Sequence, residues 1–569
     1  MKKLFSLILF FGLFFSLFSQ SPSNLSSIPE GSDFWSEYPH EELADYLVSK
    51  MSDEELLAQI LMFGWAGAEP SALLNQWVLD RGLGSVKVFG WNTDDTEQVA
   101  KSVTSLQQEA QSRRLKIPLY VATDQEGGWI RHVKGDTSET PGNMAIGASS
   151  YPIDSYYSAY YISREIKALG INMNFAPTID LYTNRDSSVI GARSFGEDPD
   201  FVGQLGAAFV AGSLAAGVIP TAKHFPGHGD TSADSHGKLP EIFADYQTLE
   251  KRELVPFKYL ISQNIPAIMS GHLSFPRIIP NGEPASLSRT FLTDILRDRL
   301  HYQGLIITDD MMMNGATMYA GSSSEAFRLA IEAGNDIIIS SRTAELDERL
   351  WTMNYSNMQI SPEFHKIVEK AARRVILSKL VYFKGGNAAP LYPELATLKD
   401  KIPDKEGQRF FLSQACRSIT AYKADGLPYK SAEGERILLA GPNSHQDFFD
   451  EAEKRFGKCA KFPYNPDMGP YHAQWVIDNL TPLAQGYDTI IICVDCKNNA
   501  AAIKPMEELA KNGKKIIIMS ILSPVPLLNG FDFAQTILFG YSYSPYTFKA
   551  LFAALAGDFT PQGKVPLNQ

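Results

Sequence analysis

The segment KHFPGHGDTSADSH, residues 223–236, sets three of the chain's ten histidines, two aspartates and a lysine around two glycines and a proline. Lys223, His224, His228 and His236 are costly to bury unless each finds a partner, so this composition marks a loop that handles protons at a site. Metal binding is one chemistry to weigh, because His224 and His228 stand four apart, as two ligands on one helix face would. Pro226 and Gly227 lie between them and break a helical turn, and no Glu follows His224 as in the zinc-protease pattern. The expectation is a site with neither metal nor organic cofactor.

Acid–base chemistry fits the residues better. Asp309, near the end of GLIITDD (304–310), offers a carboxylate, and Asp234-Ser235-His236 offers an imidazole with an acid two residues before it. Cleaving a glycosidic bond with retention takes a carboxylate beneath the anomeric carbon and a proton donor above the leaving oxygen, roughly 5–5.5 Å apart. Asp234 would orient the His236 ring and hold its pKa near the working pH. Position alone leaves a second reading open: a strand-terminal acid followed by Asp310 can cap the next helix or pair with a cation, and ionisable groups in a cleft are candidates rather than assignments.

These groups can meet only if the fold brings their strand ends together. From residue 55 to 383, short apolar runs alternate with longer amphipathic stretches. The runs lie near 59–64, 85–90, 118–123, 172–177, 219–223, 266–271, 304–309 and 335–340. Segments between them, such as SYYSAYYISREIKALG, carry helical periodicity, so the pattern predicts an α/β fold with an N-terminal (β/α)8 barrel of TIM type. Polar residues gather at the far ends of the runs: Asp124, Asp180, Arg193, the histidine-rich loop, His272 and Asp309. In a barrel those ends face one shared pocket.

A Gly/Pro-bearing connector, KGGNAAPLYPELATL, precedes a second alternation with candidate strands at 436–441, 488–494, 514–521 and 536–541. It predicts a smaller C-terminal α/β sandwich with parallel strands and without a glycine-rich phosphate loop. The expected division is a signal peptide over 1–20, a catalytic barrel over 21–385, a linker over 386–400 and the sandwich over 401–569. The leader reads from Lys2 and Lys3 through the apolar run Leu4–Phe18 to cleavage near Ser19 or Gln20, which implies an exported protein, periplasmic or secreted. That run is short for a bilayer span, so an uncleaved anchor is the lesser reading, and no second membrane-length segment follows.

A net charge of −12 argues against nucleic acid as a partner. The four cysteines, Cys416, Cys459, Cys493 and Cys496, all fall in the last third, so no thiol nucleophile is available around the candidate site. Cys493 and Cys496 close the apolar run DTIIICVDC and read first as buried thiols, with a disulfide left open by the exported setting.

KHFPGHGDTSADSH, GLIITDD, DQEGG (124–128), INMNFAPTIDL (171–181) and RSFGEDP (193–199) together resemble glycoside hydrolase family 3 in its β-N-acetylglucosaminidase branch. The tail GYSYSPYTFKALFAALAGDFTPQGKVPL resembles that family's C-terminal domain. The resemblance implies a retaining double displacement, with Asp309 as nucleophile and the Asp234/His236 dyad as acid/base. It implies sugar contacts at Asp124, Arg193, Lys223 and His224. Asp124 and Lys223 could instead form a structural pair.

Two departures bear on the pocket. His132, with Arg131 before it, stands where the branch usually has arginine, and Met311-Met312-Met313 follows the presumed nucleophile where small or polar residues are common. The expected function is an exported exo-β-N-acetylglucosaminidase acting on oligosaccharides or cell-wall fragments. A β-glucosidase or β-xylosidase of the same family, a phosphorylase (a neutral imidazole does not repel phosphate) and a non-catalytic carbohydrate-binding protein are the alternatives.

Overall fold

The computed structural model describes residues 28–568 apart from 66, 188, 234–236 and 466–468. The leader therefore lies outside the described residues, as do Asp234 and His236.

Ten short strands precede residue 341: β1 Leu61–Gly64, β2 Ser85–Lys87, β3 Tyr120–Thr123, β4 Gln125–Gly127, β5 Ile130–Arg131, β6 Met173–Asn174, β7 Ile219–Phe225, β8 Ala267–Ser270, β9 Leu305–Asp310 and β10 Ile337–Ser340. Eight of them close a parallel barrel in the order β1-β2-β3-β6-β7-β8-β9-β10, with β10 paired back to β1, and β4 and β5 form a hairpin beyond β3. Barrel strands are covered on both faces, so Leu-Ile-Ile of β9 and Ile-Ile-Ile of β10 are apolar without alternation. Outer helices begin where the sequence supplies caps. Asp198 accepts from the Phe201 amide at the head of Pro199–Ala216, and Ser361 from the Phe364 amide at the head of Pro362–Phe383, each with proline in the first turn.

All eight expected barrel runs hold strands, with shifted ends. The run 172–177 yields only Met173–Asn174, because Pro177 has no N–H for the ladder, while the fifth run extends through His224 to Phe225.

The second unit is a six-stranded sheet: β11 Thr420–Ala424, β12 Ile437–Pro442, β13 Ala460–Tyr464, β14 Thr489–Val494, β15 Lys515–Ser520 and β16 Thr536–Phe539, in the order β11-β16-β15-β14-β12-β13. The sheet is mixed: β11 runs antiparallel to β16. Both edge strands escape the search for apolar runs, because an edge strand keeps polar or exposed positions, as in Ala-Lys-Phe-Pro-Tyr of β13. Cys493 is buried in β14, Cys496 lies beyond its end, and none of the four cysteines is in a disulfide.

The sheet docks on the barrel through one apolar cluster that joins Met144, Ala145, Ala148 and Tyr182 to Leu438, Ile490, Ile516 and Leu567. The final residues run along the barrel, where the Lys564 amide donates to the Ala148 carbonyl at 2.9 Å. Arg185 donates to the Asn568 carbonyl at 3.0 Å, and Tyr182 and Ser523 hydroxyls lie 3.2 Å apart. The 182–196 loop, which leads to Arg193, is thus braced from the second unit. Among the described residues no helix is long and apolar enough to cross a membrane.

Candidate active site

The C-terminal ends of the barrel strands converge on a buried array of charges. Lys223, on β7, places its ammonium 2.5 Å from Asp124 Oδ1 and 2.6 Å from Glu126 Oε1. Lys87, at the end of β2, meets Asp124 Oδ2 at 2.7 Å. Arg193 grips Glu126 with two parallel bonds, Nε to Oε2 at 2.9 Å and Nη2 to Oε1 at 2.7 Å. Three cations thus share two carboxylates, and the excess positive charge fixes the ionisation of both. Burial alone would raise the Asp124 pKa, but Lys223 and Lys87 outweigh it and hold that carboxyl well below its usual range. The same balance, struck by Arg193 and Lys223, holds Glu126 at about 2.

Asp180, in the loop after β6, anchors the histidine-rich segment. Its Oδ2 accepts from His224 Nδ1 at 2.6 Å, and its Oδ1 accepts the amides of His224 at 3.2 Å and His228 at 2.7 Å. A carboxylate only accepts, so the His224 proton on Nδ1 is set by Asp180. The other ring nitrogen, Nε2, then points at Asp309 Oδ2, 4.0 Å away. The Lys223–His224 peptide is cis. Gly229 completes the loop by close approach: a Cβ there would stand 1.5 Å from the Leu181 carbonyl oxygen.

Asp309 and its neighbour Asp310 have separate environments. Asp310 Oδ1 accepts the amides of Met312 at 3.0 Å and Ser341 at 2.9 Å and stitches β9 to the end of β10. Among the described residues, Asp309 Oδ1 accepts only the Asp310 amide, at 2.8 Å, leaving Oδ2 toward His224. Burial would raise its pKa, yet His224, His272, the Asp310 amide and Lys223 together hold it below the carboxylate norm. His272 is a brace: Nε2 donates to the Asp310 carbonyl at 3.0 Å while Nδ1 accepts from Ser286 at 2.6 Å, and burial pushes its pKa down toward the neutral ring.

Of the residues singled out from sequence, Asp124, Arg193, Lys223, His224 and Asp309 are brought together here. Asp124 and Lys223 do form the buried pair that the sequence reading left open. Asp234 and His236 lie outside the described residues. Two members of the array, Lys87 and Glu126, went unflagged. Glu126 sits inside the DQEGG block and could have been found as its second acid; Lys87 ends a strand, but a lone lysine in SVKVFG carries no signal of its own. His132 lies 3.5 Å from Asp124 Oδ2, its pKa lowered by burial to about 4, whereas Arg131 turns to Glu139 at 2.9 Å. Met311 and Met313 are buried rather than spread over the pocket. Among the described residues neither ring nitrogen of buried His228 has a hydrogen-bond partner, and its pKa is lowered to about 4 by burial and then by His224. Among the described residues no group of three or more His, Cys, Asp and Glu side chains is placed to hold a metal ion.

Among the described residues, hydrogen-bond capacity remains for a ligand. Lys223 has three N–H donors and gives two to carboxylates, and Arg193 spends three of five on Glu126 and the Val189 carbonyl. The arrangement can therefore grip a polyhydroxylated ring while presenting one anionic oxygen, Asp309 Oδ2, to its reacting carbon.

The family profile described as "Glycosyl hydrolase family 3 N terminal domain" matches residues 52–376. The chain is 28% identical over 522 residues to beta-hexosaminidase A of Pseudoalteromonas piscicida, covering 83% of this chain and 85% of that protein. It is 34% identical over 283 residues to the beta-hexosaminidase of Tolumonas auensis, covering 49% and 82% respectively. A solved glycoside hydrolase family 3 beta-N-acetylglucosaminidase from Paenibacillus sp. str. FPU-7 superposes with a TM-score of 0.75 at 26% identity, covering 91% of this chain and 99% of that one.

Proposed function

The chain belongs to glycosyl hydrolase family 3, and on that premise we propose that this glycosidase releases terminal β-linked N-acetylglucosamine from oligosaccharides or cell-wall fragments, with retention of configuration. The observation that carries the reading is Asp309: a mostly buried carboxylate kept ionised, with one oxygen facing His224 beside the charged array. The hexosaminidase relatives supply the sugar class.

Asp309 attacks the anomeric carbon as the aglycone leaves. His236, tuned by Asp234, protonates the leaving oxygen and then takes the proton from the water that opens the glycosyl-enzyme. Asp124, Arg193, Lys223 and His224 hold the hydroxyls of the terminal sugar. The leader of residues 1–20 directs export to the periplasm or medium, which fractionation of cells carrying the full chain tests.

Turnover of a chromogenic N-acetyl-β-glucosaminide over the matching glucoside and xyloside tests the sugar. A fluorinated analogue followed by peptide mapping tests the nucleophile, with label on Asp309 expected. Asp309→Ala with native circular dichroism and retained turnover would sink the assignment, and release of the α-anomer, read by proton NMR, would sink retention. Phosphate added to the same assay separates hydrolysis from phosphorolysis.

A further inference from the structure

We propose that Trp91, backed by Phe89, is the platform on which the sugar on the leaving-group side of the scissile bond stacks; this rests on the function proposed above and specifies the substrate as an oligosaccharide. Trp91 sits in the turn Gly90–Asn92 just beyond β2, at the pocket end of the barrel, and is 55% exposed. An indole is among the costliest groups to leave in water, and here it is held there rigidly. Its Nε1 donates to the Trp65 carbonyl at 2.7 Å, and Asn92 donates to the same carbonyl at 3.0 Å. One face lies flat on Phe89, with ring centroids 4.6 Å apart and planes within 5°. That leaves the other face open.

Phe89 is itself locked. It is 5% exposed, and Gly64 makes room for it, since a Cβ at 64 would stand 2.5 Å from Phe89 Cε2. Phe89 stands between the platform and the charged array: Lys87 Nζ lies 4.1 Å from the Phe89 ring centroid and 2.7 Å from Asp124. Lys87, Asp124, Glu126 and Lys223 are buried, so a terminal sugar held against them directs the rest of its chain outward. A β-linked glucosamine unit has equatorial substituents and flat C–H faces, which suit the open face of an indole.

The test compares Trp91→Ala and Trp91→Phe on methyl N-acetyl-β-glucosaminide, which has nothing to stack, and on tri-N-acetylchitotriose. The ratio of kcat/KM, trimer over methyl glycoside, is expected to fall roughly tenfold in the alanine variant and to stay within about threefold of wild type in the phenylalanine variant. An unchanged ratio in Trp91→Ala overturns the platform alone. Wild-type protein inert on both the trimer and the chromogenic N-acetyl-β-glucosaminide overturns the proposed function, and the platform's ligand with it.

Discussion

Replacing Glu126 by Gln tests whether the charged array is held by ionisation rather than by shape. The amide is isosteric, but it loses the charge and must turn an NH2 group toward Arg193 or Lys223, both of which only donate. In the native protein burial opposes the charge, and Arg193 and Lys223 overcome it, bringing Glu126 from 4.5 to about 2. At about 1.4 kcal/mol per unit, that depression stabilises the folded state by about 3 kcal/mol at neutral pH. The folded value is the lower one, so the stabilisation is full above the unfolded pKa and is lost as pH falls through the folded pKa. It should therefore shrink steadily below the unfolded pKa and fall to less than half by pH 3. Urea unfolding of wild type and Glu126→Gln, followed by tryptophan fluorescence at pH 7, 4 and 3, reads the difference directly. A variant as stable as wild type at pH 7, or a deficit that does not shrink in acid, would refute the reasoning.

Three other perturbations have defined outcomes. Lys379, buried at the opposite end of the barrel against the Gly84 carbonyl at 2.7 Å, has its pKa pushed well below the usual value by burial and then by Arg113. The unfolded chain therefore binds the extra proton, native stability should rise with pH by up to about 1.4 kcal/mol per unit between the folded and unfolded values, and Lys379→Met should remove that slope in urea titrations between pH 8 and 10. Arg417→Ala strips the guanidinium whose Nε lies 3.0 Å from buried Asp154 across the junction with the barrel, and should cost about 3–5 kcal/mol in the same assay, part of it recovered by also changing Asp154 to Ala. Gly229→Ala drives a Cβ into the Leu181 backbone and should abolish chromogenic-substrate turnover, with a loss of stability above about 4 kcal/mol.

The barrel was legible because its strands are buried on both faces and so announce themselves as apolar runs, and because polar residues fall at their C-terminal ends. The same logic explains what stayed hidden. β11 and β13 lie at sheet edges, where exposed positions dilute the apolar signal, and the β4–β5 hairpin is too short to show a period. In the site, Asp124, Lys223, His224 and Asp309 stood out through their blocks. Lys87 did not, because its meaning is a distance to Asp124 that no linear spacing encodes. Glu126 was masked by its own motif, where Asp124 drew the attention although Glu126 is the partner that both Arg193 and Lys223 share.

Asp309 and Asp310 show why position in a motif cannot choose between two adjacent acids and why their surroundings can. A carboxylate that accepts two amides has its charge spread into the backbone, and attack by Asp310 would break the bonds that tie β9 to β10. Asp309 is stabilised mainly through space, by His224 first, so its Oδ2 stays available while its charge is still favoured. His224 can serve that purpose only because Asp180 fixes its ring from behind, and Asp180 in turn holds the His228 amide. The segment KHFPGHG therefore joins two halves of the charged cluster: Lys223 reaches back to Asp124 and Glu126, and His224 reaches across to Asp309. Its tight composition follows from that double duty, since lengthening or loosening the turn would uncouple the array around Asp124 and Glu126 from the charge at Asp309.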